Sequence, residues 1–135
     1  MLVVDASIAL TWCFEDEVTA ATEAVGNQVD ADGAIVPASW RLEVGNALLL
    51  AERRGRLNKR SVELRLALLS ALPISIDAET DAHAWNDTIL LARAERLTLH
   101  DAAYLELAIR IDGTLATLDR ALMRAARHLG IATAP

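Results

Sequence analysis

Cysteine and aromatic residues are scarce in this chain of 135 residues. The single cysteine, Cys13, excludes a disulfide within the chain and fits a reducing compartment, so we expect a cytoplasmic protein. We interpret Cys13 as a buried small hydrophobic residue, because a nucleophilic thiol would need a histidine partner and none lies nearby in the sequence. With only 4% aromatic residues, the core must consist mainly of Ala, Leu, Val and Ile.

Two kinds of apolar segment are also missing. The N-terminus has no basic stretch followed by a long apolar run, so we expect no signal peptide. No apolar run approaches the roughly 20 residues that a membrane helix needs, so we expect a soluble protein without a membrane contact. The length suits one domain over residues 1–135, and a hydrophobic content of 53% is enough to fill its core.

Positive charge is outnumbered, since the formal net charge is −6. This balance argues against broad electrostatic binding of nucleic acid, but not against a nucleic-acid enzyme, because a bound metal supplies local positive charge. We interpret one basic cluster as a solvated turn between two helices, with a phosphate-contacting patch as the alternative. The cluster consists of Arg53, Arg54, Arg56, Lys59 and Arg60.

Short apolar segments alternate with helical ones along the chain. Strands are predicted at 1–4, 34–36, 74–76 and 114–118, with a short edge strand at 131–132. Helices are predicted at 6–14, 17–30, 40–54, 58–72, 78–95, 100–111 and 119–128. This alternation indicates an α/β fold of three layers, in which helices flank a parallel sheet of four or five short strands. Ligands of such folds bind beyond the carboxyl ends of the strands.

Three aspartates stand where a helix begins. Asp5 follows the first strand and Asp119 follows the fourth, so both should lie at the carboxyl edge of the sheet. Asp101 shares a helix face with Leu105 and Ala108, which predicts that it points toward the core side. Each aspartate has a simpler alternative explanation as an N-cap of its helix.

Glu43 is harder to explain by capping, since it lies on or beside the apolar stripe of the helix at 40–54. A carboxylate removed from water is unfavourable unless it is paired or bound to a cation. Arg41 is a poor partner, because helix positions two apart diverge. The alternative is a glutamate at the margin of the stripe that reaches solvent. Asn46 is a candidate to support Glu43 by hydrogen bonding.

Four carboxylates at one edge would repel one another, by roughly 4 kcal/mol for each pair about 4 Å apart. Cations would relieve this repulsion, and hard oxygen ligands favour Mg²⁺ or Mn²⁺. The histidines lack the spacing of a zinc site. Ser7 and Thr117, at the same edge, are candidates to orient a metal-bound water or a phosphate oxygen, or else are local turn residues. His100 either supports the site or is a surface histidine.

Four segments together resemble the successive acidic motifs of PIN-domain proteins, most closely VapC-type toxins of toxin–antitoxin pairs. They are VVDAS at 3–7, WRLEVGNAL at 40–48, LTLHDAAYLELA at 97–108 and LATLDRAL at 115–122. The resemblance spans nearly the whole chain and implies a PIN fold with endoribonuclease activity dependent on Mg²⁺ or Mn²⁺. The family's acidic residues correspond to Asp5, Glu43, Asp101 and Asp119, and its hydroxyl before the last acid to Thr117.

The same resemblance implies partners as well as a substrate. RNA would be cleaved, a cognate antitoxin would cover the acidic site, and homodimers are common in the family. The helical hairpin at about 39–72 is a candidate surface for either protein contact, unless its apolar stripe is ordinary core. Asn46 matches an asparagine that often follows the family's glutamate, whereas His100 has no inherited role.

The hypothesis for the reaction is in-line attack of a metal-activated water, which leaves a 5′-phosphate and a 3′-hydroxyl. Asp5 and Asp101 would be direct ligands, and Asp119 would bind a second ion or act through a water. Glu43 would bind metal or accept a proton from the attacking water. Three alternatives remain, namely a PIN-fold RNA- or protein-binding module without turnover, a haloacid-dehalogenase-like phosphatase and a receiver-like phosphoacceptor. The phosphatase would need a second acid where Ser7 stands, and the phosphoacceptor a lysine late in the sheet.

Overall fold

The sheet has five strands, all parallel, in the order β3-β2-β1-β4-β5. The computed structural model describes residues 1–135. The strands are β1 (Leu2–Val4), β2 (Ala34–Val36), β3 (Ile74–Ile76), β4 (Thr114–Ala116) and β5 (Thr133–Ala134). The α/β class and the parallel sheet flanked by helices are therefore confirmed.

The edge strand β5 begins two residues later than the sequence predicts. The backbone nitrogen of Ile131 donates to the carbonyl of Ala126, at 2.8 Å, and so closes the end of the preceding helix. Pairing with β4 starts only at Ala132, whose carbonyl accepts from the nitrogen of Leu115. The strand predicted at 131–132 therefore starts too early, because the helix terminus uses the backbone nitrogen of Ile131.

Eight α-helices connect the strands. They are α1 (Ala6–Thr11), α2 (Ala20–Asp32), α3 (Trp40–Arg53), α4 (Lys59–Ala71), α5 (Thr80–His83), α6 (Ile89–Glu95), α7 (Leu99–Arg110) and α8 (Arg120–His128). Helix α2 starts three residues later than predicted, because Thr19 and Thr22 form a reciprocal capping box. None of these helices combines the length and the apolarity that a membrane-spanning segment requires.

The predicted continuous helix at 78–95 is interrupted. A π-helical turn (Ala84–Thr88) separates α5 from α6, and Asn86 has non-helical backbone angles of φ −110 and ψ −105. The side chain of Asn86 donates to the carbonyl of Ala82, at 3.1 Å. An asparagine side chain that bonds its own helix in this way competes with the backbone ladder, which is the physical reason for the break.

Helix α7 and the central strand β1 form the middle of the core. All three residues of β1 are buried, and on α7 the side chains of Tyr104, Leu105 and Leu107 are at most 1% exposed. Each such aliphatic side chain contributes about 1.5–3 kcal/mol through burial. The first turn of α7 is thereby held against the end of β1, where the sequence predicts the functional site.

The far end of α7 is anchored by a buried ion network that the sequence analysis missed. Arg110 contacts Asp77 at 2.6 Å and Glu106 at 2.9 Å, and both acids are nearly buried. Burial alone would raise the pKa of Asp77, but hydrogen bonds from Arg110 and neighbouring groups lower it overall. This network ties α7 to the segment that follows β3.

Two sequence interpretations concern the region around Phe14. Cys13 is buried as expected, and burial raises the pKa of its thiol. In the basic cluster, Arg56 is paired with Asp16 and Glu17 and lies 3.9 Å over the Phe14 ring. The other four basic residues of the cluster are exposed around the turn between α3 and α4, which fits both a solvated turn and a phosphate-contacting patch.

Candidate metal centre at the carboxyl edge of the sheet

Asp5 lies between β1 and α1 and is 5% exposed. Its backbone nitrogen donates to the carbonyl of Ala116, which continues the pairing of β1 with β4. Its Oδ2 atom accepts hydrogen bonds from Ser7 Oγ at 2.7 Å and from Thr117 Oγ1 at 2.8 Å. Asp5 stands at the cap position of α1, but its carboxylate does not make the side-chain capping hydrogen bond.

The environment of Asp5 opposes its negative charge. Burial raises the pKa of Asp5, the two hydroxyls lower it less, and the charge of Asp119 raises it further. No lysine, arginine or histidine pairs with Asp5. A buried acid with hydroxyl donors but no cationic partner is a candidate for binding a cation.

The hydroxyls of Ser7 and Thr117 also bind the loop between β4 and α8. Thr117 Oγ1 accepts from the backbone nitrogen of Asp119 at 3.0 Å, and Ser7 Oγ accepts from that of Leu118 at 3.0 Å. Each hydroxyl therefore donates to Asp5 and accepts from the loop. In this structure the two hydroxyls fix Asp5 relative to Asp119, which is a positioning role at the edge where they were predicted.

Glu43 lies in the first turn of α3 and is half-buried. Its Oε1 accepts from Ser39 Oγ at 2.9 Å, and its Oε2 accepts from the hydroxyl of Tyr104 at 3.0 Å. Burial raises the pKa of Glu43, and the charge of Asp5 adds to this effect, while both hydroxyls lower it. Glu43 therefore points inward rather than into solvent.

Ser39 and Tyr104 are the two residues of this site whose contacts the sequence analysis missed. Ser39 stands at the cap position of α3, but its side chain makes no capping bond, because it donates to Glu43 instead. Tyr104 is fully buried, and burial raises the pKa of its phenol. A buried tyrosine hydroxyl requires a partner, and its position one turn after Asp101 is the signal that points to this edge.

Asp101 lies in the first turn of α7, as predicted, but it does not cap the helix. The cap is Thr98, whose hydroxyl accepts from the backbone nitrogen of Asp101 at 3.2 Å. Burial raises the pKa of Asp101, and the charges of Asp119 and then Asp5 raise it further. Asp5 and Asp119 therefore lie close enough to Asp101 for their charges to oppose its ionisation.

Asp119 does cap its helix, as its simpler explanation predicted. Its Oδ1 accepts from the backbone nitrogen of Leu122 at 2.9 Å, at the start of α8. Its other carboxylate oxygen takes part in no hydrogen bond. Capping and cation binding are therefore compatible at Asp119, since they would use different oxygens.

The donor set fits a hard divalent cation in its chemistry. None of the four acids forms a salt bridge, although the chain has 13 lysine and arginine residues. All four donors are carboxylates, the ligands that Mg²⁺ and Mn²⁺ prefer. In this arrangement no three His, Cys, Asp or Glu side chains lie close enough together to hold a metal ion. A shared ion would need the carboxylates closer together than they stand here.

Two residues considered from the sequence lie at the margin. His100 is exposed at the start of α7, and its charge lowers the pKa of both Asp101 and Glu43, though less than burial raises them. Asn46 is exposed and makes no side-chain hydrogen bond. The structure therefore gives Asn46 no part in holding Glu43.

Comparison with known proteins gives agreeing results in sequence and in fold. Residues 2–128 match the family model described as PIN domain. Ribonuclease VapC3 of Pyrobaculum aerophilum is 34% identical over 121 residues, which cover 90% of this chain and 91% of that protein.

Two solved structures share the fold. The crystal structure of PAE2754 from Pyrobaculum aerophilum aligns with a TM-score of 0.67 at 22% identity, over 98% of this chain and 89% of that one. The structure of FitAcB from Neisseria gonorrhoeae aligns with a TM-score of 0.69 at 15% identity, over 100% of this chain and 97% of that one. At these identities the likeness concerns the fold alone.

Proposed function

Because the chain belongs to the PIN domain family, we propose that it is a metal-dependent endoribonuclease of the VapC type. The observation that carries this proposal is the group of unpaired carboxylates Asp5, Asp101 and Asp119 at the carboxyl edge of the sheet, with raised pKa values at Asp5 and Asp101. The ribonuclease activity named for the Pyrobaculum relative supports RNA as the substrate.

Three of the four acids are proposed as metal ligands only, and Glu43 is proposed both as a ligand and as the base. Asp5, Asp101 and Asp119 would hold Mg²⁺ or Mn²⁺, through oxygens that Ser7, Thr117 and the cap of α8 leave free. When bound, such an ion lowers the pKa of a water ligand and stabilises charge on phosphate oxygens. Glu43 also belongs to the proposed ligand set.

Glu43 is the best-placed group to accept a proton from the attacking water. Its two oxygens are oriented by Ser39 and Tyr104, and its raised pKa brings it closer to the range in which a general base is effective. Thr117 positions Asp5 and Asp119 and does not itself need to touch the RNA. The expected products are a 5′-phosphate and a 3′-hydroxyl.

We propose further that the protein is the toxin of a type II toxin–antitoxin pair, acts in the cytoplasm, forms a homodimer and binds a protein antitoxin. A third fold relative, VapC20 of Mycobacterium tuberculosis, carries the name of a toxin that cleaves the sarcin–ricin loop. In the helical hairpin formed by α3 and α4, one apolar stripe packs in the core. Leu42 and Leu68 lie outside that stripe and are 78% and 71% exposed. Exposed leucines on adjacent helices support a protein contact there.

The test is cleavage of labelled RNA by the parent, by Asp5→Asn and by Asp112→Asn, with Mg²⁺ or Mn²⁺ and then with EDTA. Asp112 is exposed and has a positive φ of 51, a conformation that asparagine tolerates, so Asp112→Asn is a matched control. We expect Asp5→Asn and EDTA to abolish cleavage, and the control to cleave as the parent does.

Two results would contradict the proposal. If Asp5→Asn cleaves as fast as the parent, the carboxylate site is not the reaction centre. If the parent binds RNA but cleaves none with either ion, the protein is a PIN-fold binding module instead.

A further inference from the structure

The exposed face of α8 carries basic side chains and no acidic one. Its basic residues lie at helical spacings of four, seven and eight, which places them on one face of the helix. They are Arg120, Arg124, Arg127 and His128, and all four are exposed. The opposite face packs into the core through Leu122, Ala125 and Ala126. Because α8 contains no acidic residue, this face is a strip of basic side chains in a chain of net charge −6, and only His128 has an acidic partner, Glu95.

A further basic residue, Arg96, borders the same strip at the corner between α6 and α7. A groove of about 440 Å³ is lined by Ala94, Glu95, Arg96, Arg124 and His128. Glu95, the one acid in the groove, is already engaged, since its carboxylate lies 2.8 Å from His128 Nδ1 and its side chain is only 10% exposed. Arg124 Nη2 donates one long hydrogen bond, at 3.4 Å, to the backbone carbonyl of Glu95. Neither Arg96 nor Arg124 has an acidic partner, so both guanidinium groups can pair with an anion.

Arg96 occupies a backbone position that suits glycine better. It ends α6 in the left-handed conformation, with φ 56 and ψ 46. Glycine or asparagine is usual there, because other residues adopt this conformation at a cost in free energy. The backbone conformation therefore does not explain why this residue is an arginine. Its side chain is exposed beside the groove.

The basic strip on α8 begins next to the candidate metal centre, and the groove with Arg96 lies farther along the helix, beside Arg124 and His128. Arg120 directly follows Asp119, whose carboxylate caps α8. Arg96 stands two residues before Thr98, the cap of α7, and Asp101 lies in the first turn of that helix. Helix α8 extends about 13 Å away from the acidic edge, so the basic strip leads outward from the carboxylates.

Helix stability accounts for only part of this pattern. Arg127 and His128 lie in the last turn of α8, where positive charge interacts well with the helix dipole. The same dipole disfavours Arg120 at the first position of α8, whereas Arg96 lies at the end of α6, where the dipole of that helix favours a positive charge. A ligand with several negative charges accounts for all of them.

We propose that Arg96, Arg124 and Arg127 bind the phosphate backbone of single-stranded RNA as it leaves the carboxylate centre. Guanidinium groups bind phosphates through paired hydrogen bonds and without regard to base sequence. This inference rests on the proposed ribonuclease function. It locates substrate binding on a confined surface, which resolves the conflict between a negative net charge and a nucleic-acid substrate.

Binding is measured apart from cleavage. In an Asp5→Asn background with EDTA, the affinity for a labelled single-stranded RNA oligonucleotide is determined by fluorescence anisotropy at several salt concentrations. The test variant is Arg124→Gln with Arg127→Gln. The matched control is Arg53→Gln with Arg60→Gln, which removes the same charge from the exposed turn between α3 and α4.

We expect the test variant to bind roughly tenfold more weakly, and its salt slope to fall by about 1.4, since each contact to a single-strand phosphate contributes about 0.7. The control should change both quantities little. Equal losses in the two variants, or no loss in the test variant, would overturn the proposal. If the test variant loses no affinity, we would expect the basic strip to bind an acidic protein partner instead.

Arg96→Gly separates binding from folding. It removes the charge and also relieves the left-handed backbone, so we expect a higher thermal unfolding midpoint together with weaker RNA binding. Unchanged binding would show that Arg96 takes no part in RNA binding.

Cleavage by the same variants with Asp5 intact and Mg²⁺ or Mn²⁺ present distinguishes the two proposals. If the parent cleaves RNA and the Arg124→Gln, Arg127→Gln variant cleaves equally well at limiting RNA, the proposed RNA-binding role of the arginines is wrong and the proposed ribonuclease function stands. If the parent cleaves no RNA, the nuclease fails whatever the binding result.

Discussion

The hydroxyl of Thr117 donates a 2.8 Å hydrogen bond to Oδ2 of Asp5, across 112 positions of the sequence. The same hydroxyl accepts from the backbone nitrogen of Asp119 at 3.0 Å. Thr117 is fully buried, so water cannot replace either contact. One side chain thus fixes the end of β1 relative to the start of α8.

Thr117→Val keeps the volume of this side chain and removes its hydroxyl. We expect the free energy of unfolding to fall by about 1–3 kcal/mol, because the nitrogen of Asp119 loses its partner in a buried place. Cleavage should slow as well, since Asp5 and Asp119 are no longer held together. Urea denaturation and the cleavage rate measure the two effects. Thr117→Ser keeps the hydroxyl and is the control, and equal behaviour of the two variants would contradict this role.

Tyr104→Phe removes the hydroxyl that donates to Glu43 and leaves the ring in the core. This hydrogen bond lowers the pKa of Glu43, so its loss raises that pKa further. If Glu43 acts as the base, the acidic limb of the pH dependence of kcat/KM should move to higher pH. Ser39→Ala should move it in the same direction, because Ser39 donates to the other oxygen of Glu43. An unmoved acidic limb in both variants would exclude Glu43 as the base.

The stability of the metal-free protein should fall as the pH rises above the ordinary carboxyl range. The folded-state pKa values of Asp5, Glu43 and Asp101 are raised from 3.8, 4.5 and 3.8. The unfolded chain therefore releases these protons first, and the stabilisation present below its pKa values is lost as pH rises through the folded values. Asp77, whose pKa is lowered from 3.8, acts in a separate window, since its contribution is lost on acidification.

Thermal unfolding with EDTA at about pH 5 and about pH 7.5 measures this dependence. The midpoint should be lower at the higher pH, and Asp5→Asn should reduce the difference. Adding Mg²⁺ or Mn²⁺ at the higher pH should raise the midpoint of the parent more than that of Asp5→Asn. A parent that is insensitive to both pH and metal would argue against a shared carboxylate site.

Arg110→Met should lower the free energy of unfolding by about 3–5 kcal/mol, because it leaves Asp77 and Glu106 buried without a cation. Urea denaturation measures this change. Arg93→Met is the matched control, since Arg93 is exposed and forms no ion pair, and it should change stability by no more than about 0.5 kcal/mol. Asp77→Asn with Glu106→Gln, added to Arg110→Met, should recover part of the loss. Equal stabilities of the two single variants would show that the ion network does not stabilise the protein in solution.

The sequence by itself determined the order and type of the elements and the edge at which the acids lie. Strands such as Leu2–Val4 and Ala34–Val36 are short apolar runs bounded by turn residues, and a local pattern of this kind is readable without the fold. Asp5 and Asp119 follow such strands directly, so the parallel topology alone places them at one edge.

Only the tertiary structure decided which groups hold those acids. Tyr104 reaches Glu43 across 61 positions, and Arg110 reaches Asp77 across 33. Such pairs depend on how α7 packs against α3 and the end of β3, which no local pattern encodes. The π-helical turn at Asn86 and the start of β5 were missed for a related reason, because competing hydrogen bonds, rather than hydrophobic periodicity, fix where those elements begin and end.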